Sequence, residues 1–340
     1  MLEEKIKNIK KDLIKFFKNP KEVIKFFLPI ILVICLLIPV PYYIKLGGGI
    51  IPLDEKIKIE DEKKSSGSLN SLYVSEIKGN VFLYLLSYVV PSYERVKAYD
   101  LTLENENKKD YNSREKIYFE QSSDIATKIA FDKAGQKIDE KTNDFAVLYI
   151  SKEAKTDLLV GDKILKVNGK NINSYAEFTK VVKTSRVGDK IKFVVLRDNK
   201  KESAISEVVD VDNSPKIGIA ISNDISYKTD KNIKFYFNKS ASGPSGGLMI
   251  ALSIYNKLVD KDITSGKTIM GTGTISLDGK VGSVGGIRHK LLGAYKKKAD
   301  IVLVPSGNYK EALKIKKKEG YNFKIISVDS FDDALNKLNL

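Results

Sequence analysis

Two residues of this sequence have the types and settings for covalent chemistry. Ser245 stands in SASGPSGGLMIAL, Ser240 to Leu252, between a proline and two glycines and directly before a run with helical apolar spacing. A serine at the start of a helix meets free backbone amides and the positive end of the helix dipole, which can hold an oxyanion. The amides of Ser245 and Gly246 are the expected donors, and the flanking glycines let a substrate backbone approach closely. The same pattern also describes an ordinary N-cap, so the serine alone decides nothing. A nucleophile needs a base. Lys290 lies 45 residues later in VGSVGGIRHKLLGAYKKKADIVLVP. On a helix, Ile287, Leu291 and Ala294 define a buried face and Lys290 falls within about 60° of its centre. Such a lysine either snorkels or is desolvated, and desolvation would lower its pKa toward the range of a general base. His289 projects about 100° away and is expected at the surface.

Composition narrows what else could act. With 340 residues and 42% hydrophobic content, the chain is long enough for two or more packed domains. His289 is the only histidine and Cys35 the only cysteine. That leaves no disulfide framework, no His- or Cys-based metal site, and no Ser/His/Asp triad unless His289 is its base. No cofactor or metal is expected. The formal charge is +15, but the 58 Lys and Arg are spread along the chain among 43 acidic residues, which argues against a nucleic-acid partner.

The elements that must position the pair begin with an apolar stretch. Phe26 to Ile44, FFLPIILVICLLIPVPYYI, runs for 19 residues without a charge. That length predicts one transmembrane helix over 26–44, retained because no small-residue cleavage site follows it. Residues 1–25 carry eight lysines against four acids. The positive-inside rule then makes this a single-pass protein of the cell membrane, its N-terminus cytoplasmic, its catalytic part extracytoplasmic, and membrane lipid a partner of the anchor. Leu2, Ile6, Ile9, Leu13, Phe16 and Phe17 recur at helical spacing, fitting an amphipathic helix on an anionic leaflet or a solvated one.

Residues 45–136 read as a β-rich adaptor without recognisable chemistry. KIKIE, SLYVSEI and VFLYLLSYVV are expected as strands, NENKKDYNSREK as a loop, and SSDIATKIAFDKAG as a short helix stopped at Gly135. Beyond it, FAVLYI and KIKFVVLRD read as strands and SYAEFTKVVKTS as a helix, while Asn168-Gly169 signals a hairpin. GDKILKVNGKNI in this block resembles the GDxIxxVNGxxI of bacterial PDZ domains. The resemblance covers residues 137–212 and implies a groove that takes an extended peptide beside the Tyr175 to Thr184 helix. The glycine-rich carboxylate-binding loop of that family is not evident before Phe145.

Within residues 213–340, GPSGG followed by TGTISLDGKVGSVGGIRHKLLGA resembles the proteolytic domain of Lon proteases, with GPSAG and TGxIxxxGxVxxxGGxxxKLxxA. This resemblance implies that Ser245 is the nucleophile, Lys290 the general base of a Ser/Lys dyad, and Thr272 the threonine that hydrogen-bonds the lysine. Gly246 stands where the family has alanine, Thr274 where it has an acid, and Ser242 where an acid usually lies two residues before GPS. SGKT, Ser265 to Thr268, resembles the end of a phosphate loop, but Lys261 occupies the place of its first glycine. The order of parts is similar to membrane-anchored, PDZ-containing Lon-like proteases. The expected fold class is multidomain α+β: transmembrane helix, β-rich adaptor, PDZ domain and Lon-like proteolytic domain. The expected function is an ATP-independent serine endopeptidase acting on extracytoplasmic protein or peptide substrates with PDZ assistance, and the resemblance allows a homo-oligomer. The alternative is a catalytically silent, membrane-tethered PDZ scaffold or peptide-binding protein.

Overall fold

The computed structural model describes residues 1–338. The chain divides into two compact units, residues 1–46 with 75–101, and residues 47–74 with 102 onward. In the first, helix α1 (Leu2–Lys18) gives way at Asn19 to helix α2 (Pro20–Leu37). The Asn19 side chain accepts the Lys21 amide, and Pro20 occupies the first turn, where its missing donor is not needed. Strand β1 (Pro39–Pro52) follows, and β2 (Ser68–Asn80) leads to a short helix α3 (Val81–Leu86). Strand β3 (Glu94–Lys97) then pairs antiparallel with β1, from Tyr42 opposite Lys97 to Lys45 opposite Glu94.

The expected transmembrane helix is absent. Among the described residues no helix is long and apolar enough to cross a membrane. The apolar stretch over 26–44 is divided between two elements, because Pro39 and Pro41 stop the helix and the chain continues as β1. Lys21, Glu22 and Lys25 occupy the other end of α2. Its uncharged part, Phe26 to Leu37, holds 12 residues, about 18 Å at helical rise, against about 30 Å of hydrocarbon. The single-pass location, the cytoplasmic N-terminus, the lipid contact and the extracytoplasmic placement expected from that helix lose their support with it. The architecture is mixed α/β rather than an anchored α+β protein. VFLYLLSYVV also departs from expectation, forming α3 and a turn. A continuous apolar run fits helix or strand equally, and here the Asn80 side chain accepts the Leu83 amide at 2.8 Å and starts a helix.

The second unit contains helix α4 (Lys108–Lys133), which runs through both the expected loop and the expected short helix. Asn107 caps it by accepting the Lys109 and Asp110 amides. Its polar first turns are held by Arg114, which donates from Nε and Nη2 to the Glu106 carboxylate at 2.6 and 2.9 Å. From α4 the chain enters a module through strand β4 (Ile138–Asp144), which pairs antiparallel with the exit strand over Asp224–Thr229. Within the module lie β5 (Val147–Ile150), β6 (Lys163–Val167), helix α5 (Tyr175–Lys183), β7 (Lys190–Arg197), β8 (Lys200–Glu207) and β9 (Ile219–Ile221). Asn168 and Gly169 both have positive φ, 47° and 79°, as a two-residue hairpin requires. Phe145, Ile164, Phe178, Phe193 and Val195 fill a core separate from the rest of the unit.

After the exit strand β10 (Asp224–Thr229) come helix α6 (Gly247–Leu258), β11 (Thr268–Gly271), α7 (Ile287–Lys296), β12 (Ile301–Pro305), α8 (Ser306–Glu319), β13 (Lys324–Val328) and α9 (Phe331–Leu338). Strands β2, β11, β12 and β13 lie side by side in that order, every pair parallel. Successive residues point to opposite faces. Ile269, Leu303 and Ile326 pack with α4, α6 and α9, while Met270, Val302, Val304 and Ile325 pack with α7 and α8. Residues 45–136 therefore supply a strand and a helix to the same core as α6, and the module interrupts that core in sequence.

The SGKT stretch is a tight turn before β11. Ser265 and Gly266 have φ of 48° and 74°, and the Lys267 amide returns to the Thr264 carbonyl at 3.0 Å. Asp262 holds this turn to Ser66, accepting its amide at 2.7 Å and its hydroxyl at 2.6 Å, and accepts the Thr264 amide at 2.9 Å. Burial would raise the Asp262 pKa, but these hydrogen bonds outweigh it and hold the carboxyl well below the usual carboxylate range. A carboxyl with a depressed folded pKa adds stability above its unfolded value of about 3.9, and that stability is lost as pH falls through the folded value. In urea unfolding, Asp262→Asn is expected to lower the midpoint at neutral pH. Its deficit relative to wild type should shrink steadily below about pH 4.

Candidate active site

The turn that carries Ser245 begins at Gly243, whose φ of 77° and ψ of 154° suit glycine and send the chain into a single turn of 3-10 helix, Pro244–Gly246. Helix α6 starts at once with Gly247, so Ser245 sits where expected, half-buried and just ahead of the helix. A side chain at Gly247 is excluded: a Cβ there would lie 2.4 Å from Ser122 Oγ and 2.8 Å from Ile275 Cγ2. At Gly246 a Cβ would stand 3.0 Å from Ser71 Oγ.

Thr272 follows directly on β11, at the carboxyl end of a parallel strand, where open α/β sheets form their sites. Its hydroxyl donates to the Ser245 carbonyl at 3.0 Å, and the Gly273 amide donates to the same oxygen at 2.8 Å. Lys290 lies in the first turn of α7, after Gly286 has supplied a left-handed cap at φ 72°. Only 3% of Lys290 is exposed, and its Nζ donates to Thr272 Oγ1 at 2.8 Å. The two motifs, remote in sequence, thus meet through one threonine hydroxyl that accepts from the lysine and donates to the serine carbonyl. The buried amine is thereby linked, through one hydroxyl, to the backbone of a serine at a helix start.

His289 is not at the surface. It is 1% exposed, and Gly48, in the part of β1 that belongs to the second unit, packs closely on α7: a Cβ on Gly48 would come within 2.0 Å of the His289 carbonyl oxygen, and one on Gly293 within 2.9 Å of Gly48. The GGG run at Gly47 to Gly49 is thus where backbone and helix touch. Ser242 is exposed. A carboxylate nevertheless faces this loop from α4, since Glu115 Oε2 lies 3.1 Å from where a Gly243 Cβ would be, and the Glu115 carbonyl accepts the Gly243 amide at 2.8 Å. Neither Glu115 nor Ser122 stands out in the sequence as a site residue. The available signal was that Ser122 falls at helical spacing with Ala126 and Ile129, a polar residue on a buried stripe.

At the strand ends of a parallel α/β core, a serine and a buried lysine are thus linked through Thr272. The model of the Lon protease (S16) C-terminal proteolytic domain matches residues 160–339, more than half of the chain, and the chain belongs to that family. The expectation of a serine peptidase agrees with this membership. Lon protease of Campylobacter jejuni is 31% identical over 186 residues, covering 52% of this chain and 22% of that protein. Lon protease of Clostridium acetobutylicum is 28% identical over 159 residues, covering 43% and 20%. The chain thus spans about a fifth of the length of these curated relatives. Among solved structures, the PDZ domain of an SdrC-like protein from Listeria innocua is 28% identical, covering 23% of this chain and 92% of that one, with a TM-score of 0.22.

Thr272→Val keeps the shape of the side chain and removes the hydroxyl between Lys290 and Ser245. Losing one partner of a buried charged or amine donor costs about 1–3 kcal/mol. Chemical unfolding of the variant is expected to show a loss of that size.

Proposed function

We propose that this chain is an endopeptidase in which Ser245 is the nucleophile and Lys290 the general base. The observation that carries the reading is the hydrogen-bond path from Lys290 Nζ through Thr272 Oγ1 to the Ser245 carbonyl, which joins the two family motifs in a buried setting. The reading requires the amine in its neutral form, the form able to accept a proton. Lys290 would take the Ser245 hydroxyl proton as the oxygen attacks the substrate carbonyl, and return it to the departing amine. The Ser245 and Gly246 amides would receive the oxyanion at the helix start. Water deprotonated by the same lysine would then hydrolyse the acyl-enzyme.

Turnover is read as independent of ATP, since SGKT is a turn pinned by Asp262 rather than a phosphate loop. The substrates are proteins or peptides. The inserted module would present them, adding an extended segment beside β5 and α5 in the manner of a PDZ groove. Its separate core and its hairpin-like neck support a unit that can bind on its own account.

Incubated with an unfolded protein and no ATP, the wild-type chain is expected to cleave, while Ser245→Ala and Lys290→Met each lose about three orders of magnitude or more in rate. Equal cleavage by all three, or none by the wild type, would count against the dyad and favour a silent scaffold. Replacing residues 145–223 by a short glycine-rich turn on the β4 and β10 neck is expected to raise KM for long substrates and spare short peptides. Unchanged KM for both would reduce the module to a spacer.

A further inference from the structure

Helix α4 carries three hydroxyl side chains on its buried side, and one behaves unlike the others. Ser123 donates back to the Phe119 carbonyl at 2.9 Å and Thr127 to the Ser123 carbonyl at 2.8 Å, the usual satisfaction of a hydroxyl within its own helix. Ser122, 4% exposed, instead reaches across the core and donates to the Pro244 carbonyl at 3.1 Å. The Gly247 amide donates to that same oxygen as the 3-10 turn closes.

A trans peptide is planar, so its C=O and the following N–H point in opposite directions. Fixing the Pro244 oxygen from one side therefore aims the Ser245 N–H to the other. The next plane is fixed likewise, because Thr272 Oγ1 and the Gly273 amide hold the Ser245 oxygen and so aim the Gly246 N–H. Two planes before, in the Ser242–Gly243 peptide, the Glu115 carbonyl of α4 holds the Gly243 amide. Both amides read as oxyanion donors thus have their peptide planes held in part from outside the turn, and for the first of them, beside the Gly247 amide, the side chain that does so is Ser122.

We propose that Ser122 is a positioning residue for the oxyanion hole, acting through the Pro244–Ser245 peptide. The inference rests on the proposed peptidase reading and deepens it. Ser122 touches no substrate. Its loss would let the peptide plane rock, weakening a donor in the tetrahedral state more than in the ground state, where a planar carbonyl asks less of it.

The test uses the full chain with wild type, Ser122→Ala and Ser245→Ala, a peptide substrate, and a peptide aldehyde that forms a tetrahedral adduct. In Ser122→Ala, kcat is expected to fall about 10- to 100-fold with KM within about twofold. Affinity for the aldehyde should fall by the same factor as kcat/KM, while the thermal midpoint moves little. Unchanged kcat, or a fall accompanied by an equal rise in KM with aldehyde affinity preserved, would overturn the positioning role while leaving the dyad intact. Absence of any Ser245-dependent cleavage in the wild type would overturn both readings. If Ser122→Ala does not fold, Ser122→Cys fills the site with a weaker donor, and the same readings apply to it.

Discussion

The site depends on a single hydroxyl. Thr272 Oγ1 accepts from Lys290 Nζ at 2.8 Å and donates to the Ser245 carbonyl at 3.0 Å, so it satisfies a buried amine and fixes the serine's own peptide at once. Burying an amine is costly unless it is hydrogen-bonded, and the Thr272 hydroxyl supplies one such bond. Thr272 can stand there because β11 ends one residue earlier, at Gly271, where a Cβ would come 2.5 Å from Met249 Sδ on α6. The strand end and the helix that follows Ser245 are thereby brought into direct contact.

Other close approaches reinforce that arrangement. The Ser245 turn is held from just beyond β11 by Thr272 and Gly273 and from α4 by Ser122 and Glu115, segments more than 100 residues apart in the chain. The module between α4 and the turn does not disturb this, since its ends meet in the β4 and β10 pair. Closing a long loop through a paired neck adds little entropic cost compared with a shorter connection. The module also touches α4: Lys163 pairs with Glu120 at 3.4 Å, and a Cβ on Gly161 would stand 3.4 Å from Ser113. The helix that holds the nucleophile turn is thus also the module's neighbour.

The misreadings share a cause. Phe26 to Ile44 has the composition of a span, but hydropathy does not register that Pro39 and Pro41 end the helix and hand the remainder to a strand. VFLYLL has no period to separate helix from strand, and the Asn80 cap settled it. NENKKDYNSREK is polar enough for a loop, yet Asn107 starts a helix and Glu106 satisfies Arg114 within it. The angle of His289 on α7 points away from the face of Ile287 and Leu291, yet the residue is buried, and Gly48 packs on the backbone there. In each case a local rule was overruled by a cap, a proline or a neighbour that the rule does not count.

The sequence by itself determined the local settings of Ser245 and Lys290, because glycine turns and helical spacing are written in short motifs, while Thr272 was legible only through the resemblance of its motif to the Lon proteolytic domain. It also determined the Asn168-Gly169 hairpin and the helix after Ser174, whose hydroxyl accepts the Glu177 amide at 3.2 Å. Only the tertiary structure decided that Ser122 and Glu115 belong to the same site, that the GGG run lies on α7, and that residues 45–136 build the core around α6. Those relations join segments distant in the chain through single hydrogen bonds and missing side chains. Neither leaves a period or a motif to read.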